Sequence, residues 1–98
     1  MNPTRYDKIL AGSILVKLAD LVMKASAGGY SINLAEQVLI RCTTSDDFIA
    51  DITIEQKDFT VEGLLAIVTD TAYKPYLEQA AKIEVIVRFY NADFKVEV

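Results

Sequence analysis

Histidine and tryptophan are absent from this 98-residue chain, and cysteine occurs once, as Cys42. Without histidine there is no imidazole general base, no histidine-containing catalytic triad and no mixed His/Cys zinc site. A single cysteine closes no internal disulfide, which fits a reducing compartment. Its neighbours, Val38 to Arg41 and Thr43-Thr44, make Cys42 a packing residue rather than a nucleophile. Positive charge is also scarce: 10 Lys and Arg stand against 14 Asp and Glu, for a net charge of -4, with no basic run. A surface that tracks phosphates needs clustered positive charge, so nucleic acid is not expected as a partner. Long apolar runs are missing too. Lys8, Lys17, Asp20 and Lys24 interrupt the N-terminal apolar positions, leaving no secretory layout and no membrane-spanning run. These absences predict a cytoplasmic protein without a membrane, a metal or a cofactor.

What is present is apolar and patterned. A hydrophobic fraction of 52% argues against disorder, and the length suits one domain over residues 1–98 with a small core. Phe48, Ala50, Ile52 and Ile54 alternate with Asp51, Thr53 and Glu55, the period of a half-buried strand. Lys82 to Tyr90 repeats the pattern with Ile83, Val85, Val87 and Phe89 inward. Its other face, Glu84, Ile86, Arg88 and Tyr90, is less polar than a solvated surface needs. Between these strands, Leu64, Leu65, Ile67 and Val68 recur at helical spacing from about Glu62. Phe59 and Val61 alternate like a short strand, and Pro75 suits the first position of a short helix to Ala81. Phe94, Val96 and Val98 alternate with Lys95 and Glu97, which predicts a C-terminal hairpin from Lys82 to Val98.

The N-terminal third is less decided. Met1 to Asp7 reads as a flexible polar lead or a cap. Tyr6 to about Leu21 has a broad apolar helical stripe, whereas Ala19 to Ala25 fits a helix or a short strand equally. Gly28-Gly29 marks a turn. Asn33 with Glu36 three residues on has the spacing of a capping box, followed by an apolar helical face of Leu34, Ala35, Val38, Leu39 and Cys42. The expected fold is α+β: a mostly antiparallel sheet of four or five strands with two or three helices on one face.

The order of elements from Leu21 to Tyr90 resembles the histidine-containing phosphocarrier (HPr-like) family. In that resemblance Leu21 to Ala27 matches the first strand, Gly28 to Ile32 the active-site approach, and Ala35 to Thr44 the first helix. Phe48 to Glu55 with Phe59 to Val61 match the hairpin, Gly63 to Thr69 the second helix, and Ile83 to Phe89 the fourth strand. The family's chemistry does not carry over. Its phosphorylated histidine maps near Asn33 or Leu34, its phosphate-holding arginine to Glu36, the proline after that to Gln37, and its regulatory serine to Gly63. The family also closes with a C-terminal helix, where Ala92 to Val98 reads as strand.

Candidate sites are correspondingly modest. Thr43 to Asp47 is oxygen-rich but lacks the glycine and terminal glutamate of a calcium loop, so it reads as a solvated exit. The aspartates show no pairing for acid–base work. Tyr73, Tyr76, Ile86, Arg88, Tyr90, Phe94 and Val96 form a candidate interface, because tyrosine combines apolar area with a hydroxyl and an edge strand pairs readily with another chain. The alternative for Tyr76 and Tyr90 is completion of the core. Gly28, Gly29, Ser31 and Asn33 form a candidate anion or ligand site, since a helix beginning there would offer free backbone N–H groups. The expected function is a non-catalytic interaction or structural module whose partner is another protein or a second copy held through the C-terminal hairpin. The alternative is a small-ligand domain at the glycine turn.

Overall fold

Thr4 starts the first helix. Its side chain accepts a hydrogen bond from the Asp7 backbone N–H at 3.1 Å, and Asp7 Oδ2 accepts from the Thr4 N–H at 2.9 Å. This reciprocal pair satisfies two of the donors that a helix N-terminus leaves unpaired. Helix α1 then runs from Arg5 to Ala27, so the stretch that fitted a strand as well, Ala19 to Ala25, is helical throughout. Residues 4–7 are a cap and a first turn rather than a flexible lead; Met1 lies outside the residues the structure describes, 2–98 of this computed structural model. Asp7 is buried, and Lys74 Nζ reaches both its carboxylate oxygens at 3.4 Å.

Four strands follow in two hairpins: β1 (Gln37–Thr43) with β2 (Ile49–Ile54), and β3 (Lys82–Phe89) with β4 (Ala92–Glu97). Helices α2 (Val61–Thr69) and α3 (Lys74–Gln79) lie between the hairpins. Every pairing is antiparallel, and the sheet order is β2-β1-β3-β4. The expected α+β class is therefore the observed one, with four strands and three helices on one face. Among the described residues no helix is long and apolar enough to cross a membrane.

The inner face of the sheet carries Val38, Ile40, Cys42, Ile52, Ile54, Val85, Val87 and Phe89. Against it α1 buries Leu10, Ile14, Leu18 and Leu21, α2 buries Leu64 and Val68, and α3 buries Leu77. The outer face is a charge lattice. Arg41 grips Asp51 with two bonds of 2.8 and 3.0 Å, Arg88 reaches Asp93 at 3.3 Å, and Gln37 links Thr53 and Arg88. Beneath these long side chains Leu39 and Ile86, paired across β1 and β3, are only 0% and 2% exposed.

That double burial, shared with β3, misled at β1 because Leu34-Ala35 and the Asn33–Glu36 spacing precede it. The expected helix from Asn33 to Cys42 is instead a three-residue 3-10 turn, Ile32–Leu34, followed by β1. A central strand apolar on both faces mimics helical spacing, and only its β-branched content distinguishes it. Two segments behind the phosphocarrier resemblance thus have the other secondary structure: Leu21 to Ala27 is helix, and Ala35 to Thr44 is mainly strand. The expected short strand Phe59 to Val61 is also replaced, by a 3-10 turn, Gln56–Asp58, that leads directly into α2. Gly63 makes this junction possible, because a Cβ there would stand 2.7 Å from the Asp58 carbonyl oxygen.

Two outcomes test these contacts. Gly63→Ala should destabilise the fold by about 1–3 kcal/mol, the range for forcing atoms into a packed site; an unchanged midpoint in urea would contradict the close approach. Hydrogen bonding by the Thr4 backbone, aided by Lys74, holds the Asp7 carboxyl below its ordinary value. A depressed carboxylate stabilises the fold above the unfolded value of about 3.9 and loses that contribution as pH falls through the folded value. Asp7→Asn should therefore lower Tm at pH 7, with the difference from the parent shrinking in acid below about pH 4. A difference independent of pH would mean the carboxylate charge is not responsible.

Candidate interaction site

The β1–β2 turn is built to push one aromatic outward. Thr44 N–H donates to the Phe48 carbonyl at 2.9 Å, Asp47 N–H to the Thr44 carbonyl at 3.0 Å, and Phe48 N–H to Thr44 Oγ1 at 3.1 Å. Closing the turn places Asp47 at φ 66°, a left-handed conformation that aspartate tolerates better than most residues. Phe48 therefore precedes β2 instead of extending its inner face, and it is 73% exposed, contrary to the inward position its alternation suggested.

Phe48 and its neighbour Ile49 form one lip of an apolar groove of about 310 Å³. Cys42 and Ala50, paired across β1 and β2, lie at its base, and Tyr76 and Gln79 of α3 form the other wall. The groove opens beside β2, which has a neighbour on one side only. Asp46 and Asp47 stand exposed at the turn, and neither makes an ion pair among the described residues. Burial first, and then the charge of Asp51, push the Cys42 thiol up to about 11. At neutral pH it is a thiol, an apolar floor rather than a nucleophile. Among the described residues no three His, Cys, Asp or Glu side chains gather as a metal site.

The expected interface residues are dispersed. Tyr76 lines this groove, whereas Tyr90, 91% exposed, sits in the β3–β4 connection at the other end of the sheet. Tyr73 is half-buried against the core at the start of α3. Ile86 lies under the outer charge lattice, and Arg88 belongs to that lattice. Phe94 and Val96 point inward, with Phe94 meeting Tyr30 and Phe89 at ring separations of 5.5 and 5.9 Å. The aromatic residue that sequence reasoning overlooked as an interaction element is Phe48; its signal was the Thr-Ser-Asp-Asp run, a turn composition that precedes it.

The expected ligand site loses its helix N-terminus. Gly28 and Gly29 end α1, and their N–H groups, with that of Tyr30, donate to carbonyls of Lys24, Ala25 and Ser26. This is the negative end of a helix, which disfavours an anion. Gly29 supplies the turn's positive φ of 89°. Ser31 is exposed, and Asn33 Oδ1 accepts from Gln56 Nε2 at 2.9 Å, tying the two 3-10 turns together.

The raised thiol gives a direct check on the groove floor. Iodoacetamide at pH 8 should modify Cys42 in the native protein on the order of 100-fold more slowly than in denaturant; equal rates would place the thiol in solvent. Compared with protein families, characterised proteins and solved structures, the chain matches none of them significantly, so its function has to be argued from the groove and the surfaces themselves.

Proposed function

We propose that this domain is a non-catalytic protein-interaction module that binds an extended segment of a partner protein along β2. The observation that carries this reading is the apolar groove of Phe48, Ile49 and Tyr76 placed beside an unpaired sheet edge. An added strand satisfies the edge's backbone groups, while a pocket next to it selects a side chain. The two edges differ in suitability. β4 presents Asp93, Lys95 and Glu97 at successive outward positions, a charge pattern that discourages pairing. β2 presents Ile49, Asp51 and Thr53, and Asp51 is neutralised by Arg41. The C-terminal hairpin therefore offers less for association than β2, since its apolar residues Phe94 and Val96 are spent on packing under α1.

Charge narrows the partner further. The unpaired carboxylates of Asp46 and Asp47 flank the groove, so a segment with an apolar anchor and a neighbouring lysine or arginine complements it. Selection of a phage-displayed library of random twelve-residue peptides against the domain should enrich such sequences. Binding by a selected peptide should weaken about tenfold or more on Tyr76→Ala or Phe48→Ser, both exposed positions whose loss leaves the core intact. Peptides that bind these variants as well as the parent, or a library that yields no binder, would remove the groove as the site.

A further inference from the structure

Helix α1 is apolar on the side that faces away from the protein. Ile9, Val16 and Met23 are 57%, 59% and 70% exposed and stand seven residues apart. Gly12, Ala19 and Ser26 repeat at the same interval between them. At about 100° per residue the six form one seam on the far side of α1 from buried Ile14, Leu18 and Leu21. It is an a/d pattern from Ile9 to Ser26, long residues at one position and short ones at the other, with the exposed Arg5 at the short position one heptad before Gly12.

Gly12 gives independent reason to think that something approaches this seam. It lies within the helix, where glycine costs about 1 kcal/mol relative to alanine, and a Cβ there would meet nothing within 4 Å. Gly63, by contrast, is demanded by a backbone 2.7 Å away. The isolated fold gains nothing from a missing side chain at position 12. A neighbouring helix pressed against it does.

We infer that α1 pairs with α1 of a second copy of this chain, antiparallel, with Val16 beside Ala19 of the other copy. In that register every layer sets a long side chain against a short one: Ile9 against Ser26, Met23 against Gly12, Val16 against Ala19, and the same contacts again by the two-fold symmetry. A parallel pair would stack Met23 on Met23 and leave a gap at Gly12. Charge agrees with the antiparallel choice. Asp20 borders the seam and Lys17 stands one turn back and farther round the same side, neither in an ion pair among the described residues; the long Lys17 side chain can extend toward Asp20 of the second copy. The helix dipoles also oppose each other. The seam from Ile9 to Ser26 is about 26 Å of helix, and two such faces bury on the order of 1,000 Å² in total, at the threshold for a specific interface. The association is accordingly a concentration-dependent one.

Sedimentation velocity on the full chain, from about 1 μM to about 1 mM, should show a monomer passing to a dimer. Gly12→Leu should weaken the dimer about tenfold or more while leaving Tm equal or higher, because leucine favours helix and position 12 has room in the monomer. Orientation is read by cysteine pairing, with Cys42 buried and its raised thiol kept out of the reaction. A mixture of an Ile9→Cys chain and a Ser26→Cys chain should form the mixed disulfide on mild oxidation. Met23→Cys alone should not link to itself. A monomer at every concentration, a dimer indifferent to Gly12→Leu, or linkage through Met23→Cys without the mixed product would each overturn the inference.

Discussion

The packing of α1 on the inner face of the sheet is the contact on which the other elements depend. A four-stranded antiparallel sheet with one apolar face requires a cover, and burial of that face is the main favourable term available to so short a chain. The cover is a single long helix whose residues from Leu10 to Ala25 run over β3 and β4, with α2 alongside it. The capping pair of Thr4 and Asp7 sets where the helix begins, and the Gly28-Gly29 turn sets where it ends. Because Lys74 binds Asp7, the start of α1 is also tied to the start of α3. The start of the helix, its end and the placement of α3 thus belong to one packing arrangement.

The outer face shows why no second layer of helices is needed. Leu39 and Ile86 would ordinarily call for one, since they are apolar and central. Instead Arg41, Arg88, Gln37 and Lys95 stand around them, with Arg41 paired to Asp51 and Arg88 bound to Asp93 and Gln37 above. Long polar side chains can bury apolar surface while their ends stay in water. Four basic and four acidic residues face this side, Arg41, Lys82, Arg88 and Lys95 against Asp51, Glu84, Asp93 and Glu97. The face is neutral, and six of these eight charges stand in ion pairs, Arg41 with Asp51, Lys82 with Glu84 and Arg88 with Asp93. Exposed apolar side chains gather instead in the groove beside β2 and along the outer seam of α1, the two surfaces proposed for association.

Legibility in the sequence followed the physics of burial. β2, β3 and β4 were readable because each has, or nearly has, one wet face, and alternation survives in Ala50-Asp51-Ile52-Thr53-Ile54 and in Phe94 to Glu97. β1 was not: Val85-Ile86-Val87 of β3 is buried just as continuously, but Val38-Leu39-Ile40 follows Leu34-Ala35 and the capping-box spacing of Asn33 and Glu36, which carried a helical period through to Cys42. The exposed seam on α1 also disguised the helix: apolar residues on two sides erase the contrast that marks an amphipathic helix. Of the candidate sites, only Tyr76 fell in the groove, since its other members meet through the pairing of Cys42 with Ala50 and through a left-handed Asp47 that local patterns do not announce. The glycine pair was read correctly as a turn. What it ends, a helix C-terminus instead of a loop before a helix, depended on the misassigned segment after it.

The positions of the two apolar surfaces make them compatible. α1 lies over β3 and β4, while β2 is at the opposite edge of the sheet, with the groove closed by α3. Pairing through α1 therefore leaves β2 and the groove of each copy open. A dimer built this way presents two grooves, and a partner with two matching segments, or a partner that is itself dimeric, gains from the effective concentration of the second site. Neither surface is large: a pocket of about 310 Å³ accepts one or two side chains, and a single helix pair sits at the low end of specific interfaces. Weak contacts of this kind become selective when they act together. On the proposed pairing the mid-helix glycine that the monomer does not need has a use, because the helix propensity lost at Gly12 would be returned when two copies meet.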